Sequence, residues 1–159
     1  MSIKLVRIDD RLIHGQVATT WIKNYGVEQV LIIDDKAKAD PMQQSVANFA
    51  APQGVKVIIF GVEQFINIIK KNEIKKATLL LFTNSIDVLK VVDAGLDIPE
   101  VNAGGMRFNE TRKRVTKAIS VTAEEHQAFL DLISKGIHIN VQMIPNDQKE
   151  DYKTLSYNV

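Results

Sequence analysis

Four short, near-continuous apolar runs constrain this chain more than any other feature: Ile3–Ile8, Val30–Ile33, Val55–Phe60 and Ala77–Phe82. Strands of that kind are covered on both faces, as in parallel sheets. Between them the apolar spacing becomes helical. It is carried by Val17, Ala18, Trp21, Ile22 and Tyr25, with Gly26 at the helix end. It returns at Met42, Val46 and Phe49 behind an Asp40 N-cap and Pro41, at Val62, Phe65, Ile66 and Ile69, and at Ile86, Leu89 and Val92 behind a Ser85 cap. Further on, Glu100–Asn102, Ala118–Val121 and Ile137–Ile144 read as strands, and Thr122 with Glu125 forms a capping box opening a helix to Lys135–Gly136. Met106–Lys117 reads as an irregular basic stretch and Pro145 as the start of a polar tail. The pattern predicts an α/β fold: an open, mostly parallel seven-stranded sheet with helices on both faces, in a single domain over residues 1–159.

Composition narrows the function classes. Twenty Lys and Arg against nineteen Asp and Glu leave a formal charge of +1, which argues against a nucleic-acid binder. With no cysteine, disulfides, thiolate nucleophiles and cysteine metal sites are excluded. Charges interrupt the apolar start after a few residues, unlike a secretion signal. No run approaches the ~18 apolar residues of a membrane span. The expectation is a cytoplasmic protein.

The chemistry concentrates in Arg7–Val17, RIDDRLIHGQV. This segment leaves the first strand and enters the first helix, which is where open parallel sheets bind ligands. A helix start offers unpaired N–H groups and the positive end of the dipole, suited to phosphate. His14 is the candidate phosphoryl carrier, because neutral imidazole is nucleophilic near neutral pH. Backbone N–H groups near Leu12 to Gln16 are the candidate cradle, with Gly15 permitting close approach. Arg11 and Arg7 are candidates to neutralise the charge in transit. Asp10 or Asp9 is placed to hold the other ring nitrogen or to brace an arginine. The plainer alternative is a surface histidine flanked by capping acids.

RIDDRLIHGQV closely resembles the active-site segment of the IIB subunits of the bacterial sugar phosphotransferase system, mannose–fructose–sorbose class. The likeness continues at VLIIDD (Val30–Asp35), in the helix after Asp40–Pro41, at the strand ending in Phe82 and at VNAGGMRF (Val101–Phe108), so that it spans essentially the whole chain. The resemblance implies that His14 accepts phosphate from a IIA partner, at Nδ1 by family precedent, and passes it to a sugar entering through the membrane subunits IIC and IID. It implies peripheral association with those subunits and transfer without a metal or organic cofactor. It also implies a central first strand, which brings the loops after strands four and five near His14 and makes Thr83, Asn84, Asn102 and Gly104 secondary lining candidates.

Other features point elsewhere less well. A phospho-receiver wants an aspartate after strand three, where this chain has Phe60–Gly61. Glu124–Glu125–His126 lacks the second histidine of a zinc motif, and neither glycine-rich nucleotide motif occurs. His126 shares a helical face with Phe129, Leu130 and Ile133 and reads as structural; His138 reads as a surface or interface residue. Asp34–Asp35 reads as capping. Arg107, Arg112, Lys113, Arg114 and Lys117 form a solvated turn or, on the functional reading, a docking surface for IIA or the membrane subunits. Exposed sheet edges leave room for a homo-oligomer. The competing class is a regulatory α/β module that binds a phosphorylated ligand without turnover.

Overall fold

The computed structural model describes residues 2–15 and 17–155. Its strands are β1 (Ile3–Asp9), β2 (Gln29–Ile33), β3 (Lys56–Phe60), β4 (Thr78–Phe82), β5 (Glu100–Gly105), β6 (Lys113–Arg114), β7 (Ser120–Val121), β8 (His138–Val141) and β9 (Glu150–Asp151). A π-helical turn, Val17–Trp21, runs into α1 (Ile22–Asn24); the other helices are α2 (Asp35–Ala39), α3 (Pro41–Ala50), α4 (Val62–Lys71), α5 (Ser85–Asp93), α6 (Ala123–Ser134) and α7 (Tyr152–Leu155). Seven strands form one sheet in the order β3-β2-β4-β1-β5-β8-β9. Every pair in it is parallel except β8 with β9.

The apolar runs become interior strands because consecutive side chains enter opposite cores. Leu5, Val30, Ile32, Val57, Ile59, Leu79 and Leu81 pack on the side of Trp21, Ile22, Ala37 and Ala47. Val6, Ile8, Leu31, Ile33, Leu80 and Phe82 pack on the other side with Phe65, Val88, Val91 and Phe129. β1 lies between β4 and β5, and the loop after it opens at the carboxyl edge of the sheet.

The count of seven strands stands, but its membership differs from expectation. The segment Ala118–Val121 does not join the sheet. Its two-residue strand β7 pairs antiparallel with β6, and only a Met106–Ile119 bridge ties it back. Ile119 and Val121 are nevertheless buried, so their apolar character reports core packing and not sheet membership. The seventh strand comes from the tail. Asp151 pairs with Asn140, and Tyr152 follows into the core at 0% exposure, its ring 4.5 Å from that of Phe129 and its hydroxyl 2.7 Å from His126 Nδ1.

Two local readings also change. Asn84, not Ser85, caps α5: its side chain accepts from Asp87 N, while Ser85 is buried and donates to the Glu125 carbonyl. On α3 the expected apolar face points outward, with Phe49 95% exposed; the inner face is Ala47 and Gln44, whose amide donates to the Val57 carbonyl at 2.9 Å. The capping box of Thr122 and Glu125, the Asp40 cap and the Asp34 cap of α2 form as read.

Candidate functional site

The site begins where β1 ends. Arg7 lies opposite Asn102 of β5, and the register slips between Ile8 and Asp9. An irregularity of this kind turns the chain away from its ladder. The chain then folds back on itself, with Leu12 N donating to the Asp9 carbonyl at 2.9 Å. Leu12 is the one non-glycine with positive φ (60°) among the described residues. That conformation costs a leucine free energy and is concentrated at functional loops. It aims the Leu12 carbonyl at His14, whose Nδ1 lies 3.0 Å away. A carbonyl only accepts, so Nδ1 carries the proton and the lone pair resides on Nε2. Nε2 is shielded and has no hydrogen-bond partner among the described residues. The His14 residue itself is half-buried, and Gly15 beside it is exposed. A Cβ at Gly15 would meet nothing within 4 Å, so packing does not demand the glycine.

The three arginines around the loop have different jobs. Arg7 is fully buried and cannot meet a phosphate. Its guanidinium donates to Asp9 at 3.2 Å, to the carbonyls of Gln142 (3.0 Å) and Met143 (2.8 Å), and to the Asn102 side chain. It also stacks 4.3 Å from the centroid of Trp21, whose Nε1 donates to the same Met143 carbonyl. Burial lowers the Arg7 pKa to about 10, against the raising effect of Asp9. A Cβ at Gly104 would overlap this guanidinium, which is why a glycine stands there. Arg7, expected to neutralise charge in transit, and Asn102, expected as lining, therefore form the foundation beneath the site, with Gly104 packed against the guanidinium.

Asp9 carries that foundation to Arg11. One carboxylate oxygen accepts from Arg11 N at 3.1 Å and Nε at 3.2 Å; the other accepts from Nη2 at 3.3 Å. Arg11 is 36% exposed, with Asp9 fully buried behind it. A guanidinium held from behind by a buried carboxylate is pre-organised to meet an anion.

Asp10 turns to other partners, and none of its hydrogen bonds among the described residues goes to His14. It accepts from Arg107 N (2.9 Å), Arg107 Nε (3.2 Å) and Arg112 Nη1 (2.9 Å). Arg112 is 11% exposed and also grips Glu125, at 2.9 and 2.8 Å. Burial works to lower the Arg112 pKa, but the bonds to Glu125 and Asp10 prevail and raise it. Arg112 is thus no solvated turn residue; it clamps the base of the His14 loop to α6. The role was concealed in the sequence because Glu125 was already accounted for by its capping box.

Thr83 and Asn84 lie across the carboxyl edge. Thr83 Oγ1 donates to Asp34 at 2.7 Å, and Asn84 caps α5. Together with Asp10, Leu12, Arg107 and Arg112 they line a cleft of about 1170 Å³. They share a cleft wall with the His14 loop and make no hydrogen bond to the histidine. Gln16 lies outside the described residues. His126 bonds Tyr152 and His138 pairs with Asp151 at 3.5 Å, so neither belongs to the site. No group of three or more His, Asp or Glu among the described residues is arranged to hold a metal ion.

Comparisons with known proteins agree over the full fold. Residues 3–158 match the family model of the phosphotransferase system (PTS) sorbose subfamily IIB component. The chain is 36% identical over 160 residues to the PTS fructose-specific EIIB component of Bacillus subtilis, covering 100% of this chain and 98% of that one. It is 37% identical over 150 residues to the PTS mannose-specific EIIAB component of Escherichia coli, covering 94% of this chain and 46% of that longer protein. The IIBSor domain of the sorbose permease from Klebsiella pneumoniae superposes with a TM-score of 0.93 at 33% identity, covering 100% of this chain and 98% of that one. A strand-end histidine loop set on a central parallel strand, and likeness along the whole chain, lead to one assignment: this chain belongs to the IIB components of the phosphotransferase system, in the mannose/fructose/sorbose class.

Proposed function

We propose that His14 is the phosphoryl carrier of this phosphotransfer subunit, taking phosphate from a phosphohistidine on a IIA protein and giving it to a sugar delivered by IIC and IID membrane subunits. The observation that carries the reading is the His14 loop itself: a half-buried histidine held by the Leu12 carbonyl just past the end of the central strand, close in sequence to an arginine braced from behind by buried Asp9. In the first step a ring nitrogen of His14 attacks phosphorus. The donor's N–P bond breaks and its electron pair stays on the donor imidazole. In the second step a sugar hydroxyl oxygen attacks phosphorus, the His14 N–P bond breaks, and the hydroxyl proton leaves to water. Arg11 offsets the charge on the moving phosphoryl group, and backbone N–H groups near Gly15 cradle its oxygens. Asp10 acts through Arg107 and Arg112 and not on the ring.

The loop geometry holds both nitrogens back: Nδ1 is engaged by the Leu12 carbonyl and Nε2 is shielded, so transfer requires the ring to turn. Attack through Nδ1, the atom that the resemblance implies, also requires the ring to give up Leu12 and move its proton to Nε2. The IIA partner is supported by the mannose-specific EIIAB relative, whose name joins IIA and IIB. The sugar is set by the membrane partners; relatives are named for fructose, mannose and sorbose. Residence in the cytoplasm, with docking on IIC and IID, follows from that role, and transfer by histidine needs no cofactor.

The test is labelling with phosphoenolpyruvate, the general phosphotransferase proteins and a IIA of this class. Phosphorus NMR should show one acid-labile phosphohistidine and report its ring nitrogen. His14→Ala should carry no label with its fold intact, and Arg11→Ala should be labelled about 10- to 100-fold more slowly. A label that persists in His14→Ala would move the carrier elsewhere. Phosphate binding by the wild type without covalent label would make the protein a passive module.

A further inference from the structure

Arg11 takes part in a second surface. Together with Arg107, Arg114 and Lys117 it lines a concavity of about 280 Å³, with Gly104 and Gly105 in the floor, which adjoins the large cleft through the shared Arg107. Its lining contains four cationic side chains and no carboxylate. Arg11 and Arg107 lean on Asp9 and Asp10, which lie outside that lining. Arg114 stacks 5.8 Å from the centroid of Phe108, itself 59% exposed. Arg107, Phe108, Arg114 and Lys117 are all exposed. The glycine floor is enforced: a Cβ at Gly105 would meet the Asp9 carboxylate at 2.7 Å and Arg11 Nη2 at 3.3 Å.

A chain with net charge of only +1 has no reason to gather four cations around one concavity for solubility alone. The volume suits a few side chains; a nucleic-acid duplex or a membrane surface is far larger and flatter. Acidic side chains of a docked protein fit, with an exposed aromatic at the rim. Both the phosphate donor and the acceptor must reach His14, and the charge cycle distinguishes them. Arg11 is three residues from His14, so their Cα atoms are at most about 11 Å apart, close to a Debye length at moderate salt. A phosphoryl group on His14 brings roughly two negative charges. The concavity is therefore most positive when His14 is bare, the state that meets the donor, and is partly neutralised once transfer has occurred.

We infer that the basic concavity formed by Arg11, Arg107, Arg114 and Lys117 is a docking socket for an acidic segment of the phosphoryl-donating protein, and that the arriving phosphate weakens that contact. The inference rests on the phosphocarrier reading above. Electrostatic docking of this kind sets encounter rate and specificity. Transfer then favours release of the donor, freeing the loop for the acceptor.

The experiment compares wild type, Arg114→Ala/Lys117→Ala and Arg114→Glu/Lys117→Glu, using phosphorylated IIA as donor and single-turnover kinetics. Both positions are exposed and neither is placed in the transfer chemistry. The KM for phosphorylated IIA should rise about 10- to 100-fold in the charge-reversed protein and less in the alanine one. The rate at saturation should be unchanged. The difference should shrink as salt shortens the Debye length from about 10 to about 3 Å. Poly-glutamate should inhibit donor transfer to the wild type and bind its phosphorylated form more weakly. Unchanged KM in both variants overturns the socket, as does a lower saturating rate at unchanged KM. A defect confined to the sugar step assigns the surface to the membrane subunits and also overturns it. Failure of the wild type to take label at all would sink the phosphocarrier reading instead.

Discussion

Asp9 is the residue on which the loop turns. Its carboxylate is fully buried between the buried Arg7 and the exposed side of Arg11, and accepts bonds from both. Breaking one partner of such a buried pair leaves the other charged and desolvated. Asp9→Asn should lower unfolding free energy by about 3–5 kcal/mol in urea titrations and slow transfer, because Arg11 loses its brace. Asp87 supplies a pH signature. Burial raises its carboxyl above the ordinary 3.8, against the lowering effects of Asn84 and Lys90. In the window above 3.8 the folded state holds more protons at this site than the unfolded state. Its contribution therefore favours the fold at low pH and is lost as pH rises through the raised value. Urea midpoints of Asp87→Asn across the acid range should show a flatter pH dependence than wild type.

Between elements, the important joint runs from the β1 loop to α6. Arg112 bridges Asp10 and Glu125, and Glu125 Oε1 also accepts from Thr122 N at 2.9 Å. One carboxylate thus caps a helix and anchors an arginine that holds the His14 loop. Arg112→Ala should cost about 2–4 kcal/mol, since two mostly buried carboxylates lose their partner. It should also slow phosphoryl transfer to His14, with KM for the donor little changed. Calorimetry and single-turnover labelling check the two halves separately. The helix-start reading of the loop needs one adjustment: a π-helical turn, Val17–Trp21, follows Gly15. Its wide turn keeps both Val17 and Trp21 at 0% exposure, and Trp21 provides the face on which Arg7 stacks. Such turns recur at functional sites.

For the molecule as a whole, the tail does structural work. β9 closes the edge of the sheet beyond β8, and Tyr152 fills the core next to Phe129. Burial pushes the Tyr152 hydroxyl pKa up, so it stays neutral while bonded to His126. Tyr152→Ala should cost about 3–5 kcal/mol, as large aromatic truncations in cores do, and should loosen the β8 edge in hydrogen exchange. Transfer by the surviving folded protein should fall modestly, because the Gln142 and Met143 carbonyls that hold Arg7 directly follow β8. A tail read only for polarity conceals this: Asp147, Gln148, Lys149, Glu150 and Asp151 mask the buried Tyr152 that follows them.

What the sequence determined by itself was local. Periodicity placed the longer helices and most of the strands, though not the short α2 and α7, and the capping residues Asp40 and Thr122 marked helix starts, because each depends on neighbours within a few residues. The position of His14 at a strand end followed from the same signals, and the family resemblance supplied the central place of β1. Tertiary structure decided which groups meet. Arg7 and Arg11 are four residues apart and chemically alike, yet one is sealed under the sheet by Asn102, Gly104 and Trp21 while the other faces outward. Likewise Ile119 and Val121 look like strand residues but serve the core, and Asp151 looks like tail but pairs with Asn140. Burial preference is a property of each residue, whereas partner choice is a property of chains brought together from a hundred residues away.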